Sequence, residues 1–459
     1  MSDLLYRRYL DRLDPEGAFP CSCGRVHRIR TRQVLVGPRV LEELPALLGE
    51  RHGPRVRVWL LSDQNTERAA GERCRELLGR WPLSATVLPA SPKPKPMLEF
   101  AEELRRKASA FSPGLVLAVG AGVISDLGKK VAHELGIPSW CVATAPSVDA
   151  FTSDHSVFKS RTSHQSIPIT PSEAVFCELP VLAAAPQQMF LSGLGDLLGK
   201  FVAYLDWNLS ALLTGEYLCP ETVSIARESA LRPLEALEAG QGPGEALLLL
   251  TDALLTTGFL MQAMDSSRPT SSAEHTAAHI WELAGVVGND ELNLHGLLVG
   301  LGSRMVLEAY RVFYDRLPVL EASGDIRARL EALGSEPPWE RQIGPELALF
   351  TEHIRNEMLG AELGRAALER RLQAYGRERE RIAELARQSL ADLQRGVSAL
   401  QAIGYPFTVA TYGLSSPHAF LPFSGIRFLR NRYNTFWLMH ELGWEREPLE
   451  ALRTLASTP

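Results

Sequence analysis

The sequence predicts an α/β protein: a Rossmann-like parallel-sheet domain over residues 1–180, an all-α domain over residues 181–459, and an active site in the cleft between them. Three observations predict it. Residues 33–144 alternate short β-rich runs with helical periodicity, the pattern of right-handed βαβ units and a mostly parallel sheet. Strand signals nearly vanish after Val181, where long helical stretches take over. A chain of 459 residues is too long for one ordinary core and suits two.

The elements follow in order. Residues 34–36, 56–61 and 85–88 read as strands; a proline-rich turn, Ser91-Pro92-Lys93-Pro94-Lys95-Pro96, precedes an amphipathic helix through Leu98, Ala101, Leu104 and Ala108. Residues 115–119 are wholly apolar and read as a strand buried on both faces, residues 124–135 as a helix and 140–143 as a fifth strand. The boundary falls near residues 172–181. Helices are expected at 193–208, 221–237, 246–265, 273–283, 294–314 and 345–401. The Arg- and Glu-rich stretch 368–393 reads as a solvated helix face.

Composition narrows the function. A net charge of −6 argues against bulk nucleic-acid binding but permits a local basic pocket for a phosphate. No segment reads as apolar for the roughly 18 residues a membrane helix needs, residues 246–260 being interrupted by Thr251, Asp252 and Gly258. The N-terminus lacks the apolar region of a signal peptide, and six cysteines are too sparse for a disulfide framework, so a reducing, cytoplasmic compartment is expected. Cys21, Cys23 and His27 are the one compact cluster. Their residue types can ligate a metal, but a structural zinc site takes four ligands and no fourth is evident nearby. The cluster reads as an ordinary glycine-containing turn.

The strand at 115–119 runs into Gly120-Ala121-Gly122-Val123-Ile124-Ser125-Asp126 and then a helix. The glycines allow close backbone approach and positive φ, and the helix start offers unpaired N–H groups to an anion. Ser125 stands where the dinucleotide fingerprint has its third glycine, so the pattern alone leaves a tight βα turn open. The next strand ends in Thr144-Ala145-Pro146-Ser147-Val148-Asp149-Ala150-Phe151-Thr152-Ser153, a hydroxyl-rich loop with one carboxylate. Asp63, ending an earlier strand, is placed either for a ribose contact or as the N-cap of the helix near Thr66.

In the helical half Asp196 lies in a largely apolar stretch, and His275 and His279 share one helix face through their i, i+4 spacing. His295 opens a glycine-dotted helix. One carboxylate with two or three imidazoles suits a catalytic divalent metal such as zinc, nickel or iron, whereas core or capping histidines are the plain alternative.

These residues together resemble the glycerol-1-phosphate dehydrogenases, bacterial branch, within the iron-containing alcohol dehydrogenase and dehydroquinate synthase-like superfamily. The resemblance is carried by Gly120-Ala121-Gly122-Val123-Ile124-Ser125-Asp126, Thr144-Ala145-Pro146-Ser147-Val148-Asp149, Gly193-Leu194-Gly195-Asp196, Ser267-Arg268-Pro269-Thr270-Ser271-Ser272-Ala273-Glu274-His275 with His279, and Leu294-His295-Gly296. The segment from Arg427 to Tyr433 and the early Cys-x-Cys-Gly turn also look like this branch. The resemblance implies an NAD- or NADP-dependent, metal-dependent oxidoreductase interconverting dihydroxyacetone phosphate and glycerol 1-phosphate. It implies cofactor binding by Asp63, Gly120, Ala121, Gly122, Val123, Ile124, Thr144, Ala145, Pro146, Ser147 and Ser153. Asp196, His275 and His295 would hold one divalent metal and act catalytically; Asp149, Asp196 and His279 would bind substrate.

Ala121 and Ala150 stand where the family usually has glycine, and Leu297 where it commonly has glutamate. Lys159, Arg161 and Arg268 are candidates for the substrate phosphate. The expected partner is a small polyol phosphate, with no nucleic acid or membrane, in a homodimer. The alternatives are a superfamily enzyme acting on an unphosphorylated polyol or cyclising a sugar phosphate, and a catalytically silent ligand-binding protein.

Overall fold

The computed structural model describes residues 4–159, 164–318, 323–359 and 364–457. By packing, the chain forms two units: Met1–Leu194 with Arg232–Ser267, and Gly195–Leu231 with Arg268–Pro459. The division expected at residue 180 is continuous in sequence, whereas in the packed units Arg232–Ser267 returns to the first.

The first unit is built on a parallel six-stranded sheet. Ten strands occur among the described residues: β1 (Ala18–Pro20), β2 (Val26–Arg28), β3 (Gln33–Gly37), β4 (Val58–Asp63), β5 (Leu83–Leu88), β6 (Leu115–Gly120), β7 (Ser139–Ala143), β8 (His155–Lys159), β9 (His164–Pro168) and β10 (Ala174–Glu178). Six of them form the sheet in the order β3-β10-β7-β6-β4-β5; β1 pairs β2, and β8 pairs β9, both antiparallel. All five ladders of the large sheet are parallel, and Leu117 stands between Leu60 and Trp140.

Successive residues of the central strands point to opposite faces, and both faces are covered. Leu60, Leu117, Val119, Trp140 and Phe176 join one core with Leu44, Leu48 and Cys74. Trp59, Leu61, Val116 and Ala118 join another, with Ala101 and Leu104 of α1 (Leu98–Phe111) and Leu127 and Val131 of α2 (Gly122–Leu135). Dual coverage is why these strands read as continuous apolar runs. Truncating Leu117, fully buried between its neighbours, would cost about 2–5 kcal/mol.

The order places the site. The chain runs outward from β4 to β5, then returns to lay β6 on the other side of β4. The strand order therefore reverses between β4 and β6, and ligands of open α/β sheets bind outside the carboxyl ends at such a point. Asp63 and Gly120 are the last residues of those two strands.

β10 is a strand the sequence reading did not find; it occupies the segment expected to be the boundary. Helix α3 (Gln187–Thr214) begins the helical part, followed by α4 (Pro220–Glu238) and α5 (Pro243–Met264). By length and composition Gly244–Met264 does reach what a membrane span needs, contrary to expectation, although 83% of its apolar window is buried. It packs with the sheet unit, and its Asp252 accepts the backbone N–H groups of Leu5 and Tyr6 at 2.9 and 3.1 Å and pairs with Arg232 at 3.0 Å.

The second unit centres on α7 (His295–Tyr314), which packs against α6 (Ala273–Ala284), α8 (Arg365–Ala402) and the helix Arg446–Ala456. No strand follows β10 among the described residues. The helix expected at 345–401 is broken into a 3-10 turn at Pro345–Phe350, a helix at Thr351–Met358 and α8. Gly364, extended at ψ 153°, caps α8 and ends continuity.

Candidate active site

In the first unit the β6–α2 junction forms an anion cradle from backbone. Ala121 is extended and caps α2 without a side-chain bond, so the N–H groups of Gly122, Val123 and Ile124 open the helix with no intrahelical partner. Neither Gly120 nor Gly122 adopts positive φ, contrary to expectation. Close approach is the reason for both: a Cβ on Gly120 would meet the Ile124 Cβ at 2.5 Å, and one on Gly122 the Val148 Cγ2 at 2.7 Å.

The loop after β7 lies beside this cradle. Thr144 donates its N–H to the Gly120 carbonyl at 3.2 Å, and Ser147 accepts from Ser192 Oγ at 3.0 Å. Ala145 is buried, Pro146 is pressed so close to Gly193 that a Cβ there would sit 2.0 Å from its carbonyl, and Asp149 is partly exposed. Ser153 turns inward, its hydroxyl donating to the His155 carbonyl at 2.9 Å and accepting the His155 N–H at 3.0 Å.

Lys129, fully buried on α2, was missed by sequence reasoning. Its ammonium donates to the Ala150 carbonyl at 2.7 Å and the Ser153 carbonyl at 3.3 Å and pairs with Asp126 at 3.1 Å. It ties the 150–153 loop to the helix that begins at the cradle. The available signal was a lysine sharing an apolar stripe with Ser125, Gly128 and Ala132.

Asp63 is a helix cap. Its Oδ1 accepts the N–H groups of Asn65 and Thr66 at 2.8 and 2.9 Å, and Thr66 Oγ1 accepts the Asp63 N–H at 2.9 Å. One carboxylate oxygen is thus committed, and the group is held rigidly at the end of β4.

In the second unit Asp196, His275 and His295 come together, each offering a ligand atom within 4.8 Å of the others. His275 Nε2 lies 3.1 Å from Asp196 Oδ1. The other ring nitrogen of each histidine meets a carboxylate: His275 Nδ1 stands 2.7 Å from Glu274 Oε1, and His295 Nδ1 stands 3.2 Å from Glu282 Oε1. A carboxylate on Nδ1 fixes the tautomer that leaves Nε2 as a lone-pair donor. Glycine lets the helices approach this closely, since a Cβ on Gly199 would lie 2.8 Å from His275 Cε1. Tyr405 donates to the Gly296 and Leu297 carbonyls, both at 3.1 Å, anchoring the turn that carries His295. Leu297 itself is buried in the core.

The electrostatics suit a cation. Burial opposes ionisation of Asp196, but the Lys200 ammonium at 3.6 Å, the His275 hydrogen bond and the His275 and His295 charges outweigh it and hold the carboxyl below its usual range. Burial pushes His275 down, yet hydrogen bonds to Asp196 and Glu274 raise it overall. His279 stacks on His295 with ring centroids 4.7 Å apart, and burial first, then the two neighbouring imidazoles, push it down to about 3. It is a neutral ring beside the cluster.

Behind the cluster, buried Asp206 accepts from Ser272 Oγ at 2.5 Å, Tyr310 OH at 2.9 Å and Thr435 Oγ1 at 2.7 Å, pinning the start of α6. Among the phosphate candidates, Arg268 is not a surface cation: it is buried in a two-point pair with Glu216, at 2.9 and 2.8 Å. Arg161 lies outside the described residues, and of Lys159 only the backbone belongs to them. Two arginines that the sequence reading gave no role converge instead. Arg430 and Arg432 donate to Ser271 Oγ at 3.3 and 3.2 Å. Burial, then neighbouring guanidinium charges, push both below their ordinary pKa.

The first unit thus carries a backbone N–H cradle at the switch point of its sheet, and the second a carboxylate–imidazole cluster. The family described as iron-containing alcohol dehydrogenase matches residues 35–186. The fold is also that of the NADH-dependent butanol dehydrogenase A of Thermotoga maritima, with a TM-score of 0.59, 15% identity, and 95% of this chain and 98% of that one covered. Within this class the chain belongs to the glycerol-1-phosphate dehydrogenase family. It is 30% identical over 358 residues to the glycerol-1-phosphate dehydrogenase [NAD(P)+] of Bacillus licheniformis, covering 75% of this chain and 88% of that protein. To the enzyme of the same name from Hyperthermus butylicus it is 32% identical over 284 residues, covering 61% of this chain and 79% of that protein.

Proposed function

We propose that this protein is an NAD(P)- and metal-dependent dehydrogenase that interconverts dihydroxyacetone phosphate and glycerol 1-phosphate. The observation that carries the reading is the convergence of Asp196, His275 and His295, in a chain 30% identical to a glycerol-1-phosphate dehydrogenase. Residues 1–180 serve dinucleotide binding and residues 181–459 metal and substrate binding. The donor set fits a divalent metal: one carboxylate oxygen and two imidazole nitrogens leave positions open for substrate oxygens. When bound, the metal supplies a Lewis acid for the reacting oxygen, and the nicotinamide supplies or accepts the hydride.

The chain's own residues do the rest. Glu274 and Glu282 orient the two metal-binding imidazoles through Nδ1. Gly120, Ala121, Gly122, Val123 and Ile124 receive the pyrophosphate on backbone N–H groups, while Thr144, Ala145, Pro146, Ser147 and Ser153 form the facing wall and the unshared oxygen of Asp63 takes a ribose hydroxyl. Asp149 and the neutral ring of His279 bind the substrate hydroxyls. Arg430 and Arg432 receive the phosphate. Both donate to Ser271 Oγ, and two guanidiniums meeting at one point suit the oxygens of a phosphate. With no disulfide among its six cysteines, the chain suits a reducing cytoplasm, where we place it as a homodimer.

The test is a coupled measurement on chelator-free protein loaded separately with zinc, nickel and iron(II). Loss of reduced-nicotinamide absorbance with dihydroxyacetone phosphate is expected. No turnover of that substrate, with turnover of an unphosphorylated polyol, would overturn the reading.

A further inference from the structure

Far along the chain from the proposed catalytic ligands, the small β1–β2 hairpin of the first unit brings two thiols and an imidazole together. Cys21, Cys23 and His27 each offer a ligand atom within 4.8 Å of the others, and Cys23 Sγ stands 3.3 Å from His27 Nε2. Sulfur and nitrogen bound to one tetrahedral zinc ion, at about 2.3 and 2.0 Å, stand roughly 3.6 Å apart, so the pair already has near-ligand spacing. We propose that Cys21, Cys23 and His27 bind a structural zinc ion, separate from the catalytic metal. The sequence alone favoured a plain turn because no fourth ligand was near; water or one further thiolate completes the tetrahedron.

Three features of the hairpin support it. His27 is buried, and its Nδ1–H donates to the Ala263 carbonyl at 2.7 Å. That bond fixes the tautomer whose Nε2 lone pair faces the thiols, the arrangement metal-binding histidines use. The turn between the strands is tightened as in zinc-binding knuckles. Cys21 donates its N–H to the Arg25 carbonyl and Gly24 its N–H to the Cys21 carbonyl, both at 3.0 Å, with Gly24 at φ +83°. Finally, β1 and β2 are three residues each, and an isolated pair that short is marginal without a staple.

The other cysteines of this unit contrast with the pair. Cys74, Cys141 and Cys177 are buried in the sheet cores, where burial pushes Cys74 up to about 12, Cys141 up to about 11 and Cys177 higher still. Thiols so disfavoured as thiolates are poor metal ligands. Cys21 and Cys23 are only partly buried, beside an imidazole. Two sulfurs with one nitrogen select zinc over the oxygen-preferring metals, whereas Asp196, His275 and His295 offer oxygen and nitrogen only.

Metal content of full-length protein, purified reduced and without chelator, tests this. Wild type is expected to carry two metal equivalents per chain. Asp196→Ala should retain one, as zinc, and Asp196→Ala combined with Cys23→Ser should retain almost none. Equal zinc in the single and double variants overturns the proposal. X-ray absorption at the zinc edge of Asp196→Ala keeps it testable even if the double variant folds poorly. A shell of two or three sulfurs at about 2.3 Å supports it, and a shell of nitrogen and oxygen alone overturns it. A Cys21–Cys23 disulfide, read as a loss of two mass units in protein isolated under reducing conditions, likewise overturns it.

Discussion

In the proposed function the cradle at β6–α2 and the cluster around Asp196 serve one task, holding a charged ligand, by opposite means. The cradle is made of backbone: three N–H groups at a helix start, with glycines supplying room. The cluster is made of side chains, each oriented by another, His275 by Glu274 and His295 by Glu282. A backbone site tolerates a changed side chain as long as its path is kept, and so Ala121 is compatible with it between the two glycines. A side-chain site tolerates almost no change of ligand.

The widest separation of the two comes from Asp196→Ala. Loss of the carboxylate removes a proposed metal ligand and leaves His275 without its partner at 3.1 Å. Turnover should fall about 10³-fold or more, the scale of several kcal/mol of lost Lewis-acid stabilisation. Binding of reduced nicotinamide, read by fluorescence quenching, should stay near wild type. If the variant also loses the cofactor, the two sites are not independent.

Gly122→Val is the reciprocal change. Even a Cβ there would lie 2.7 Å from Val148 Cγ2, so the larger side chain displaces either the helix start or the facing loop. Losing charge-assisted hydrogen bonds to the cofactor should raise its KM by about 10-fold to 10²-fold. Metal content should stay at the wild-type level.

The two sites were not equally readable. A strand buried on both faces announces itself as an apolar run, and β6 was found in that way. β10 was not, although Ala174-Val175-Phe176-Cys177 is such a run, because it falls in the segment read as the domain boundary. Asp196, His275 and His295 were legible because polar residues on apolar helices call for an explanation. Their orienting partners Glu274 and Glu282 looked like ordinary helix charges. Lys129 was invisible for the opposite reason: its partners are the carbonyls of Ala150 and Ser153, which carry no residue-type signal. Arg430 and Arg432 sat within a segment that carried the family resemblance, but only their meeting at Ser271 suggests a role.

Titration sharpens the contrast, since only the side-chain site contains groups that change charge near neutrality. In chelator-treated protein His279 is held at about 3, below its ordinary 6.5, chiefly by burial. Between those values the unfolded chain binds a proton that the folded chain refuses, so stability falls as pH drops below about 6.5. From pH 7 to pH 5 wild type should lose roughly 2 kcal/mol more than His279→Gln, at 1.36 kcal/mol per unit. His275, raised rather than lowered, acts in the opposite sense, but it is present in both proteins and cancels in the difference. Equal losses by denaturant titration would mean that His279 is solvated.

The smallest expected effect lies at Asp63, where one residue is asked to serve structure and ligand at once. Its Oδ1 caps the helix that follows β4, at 2.8 and 2.9 Å from two N–H groups. An asparagine caps as well as an aspartate, so Asp63→Asn should leave stability within about 0.5 kcal/mol of wild type, whereas Asp63→Ala should cost about 1 kcal/mol. The ribose contact proposed for the other oxygen responds differently, because an amide offers nitrogen or a weaker acceptor there. KM for the cofactor should rise about threefold to tenfold in Asp63→Asn, the value of one ordinary hydrogen bond. A cofactor KM unchanged in Asp63→Asn, with stability lost only in Asp63→Ala, would reduce Asp63 to a cap and leave recognition at this switch point entirely to backbone.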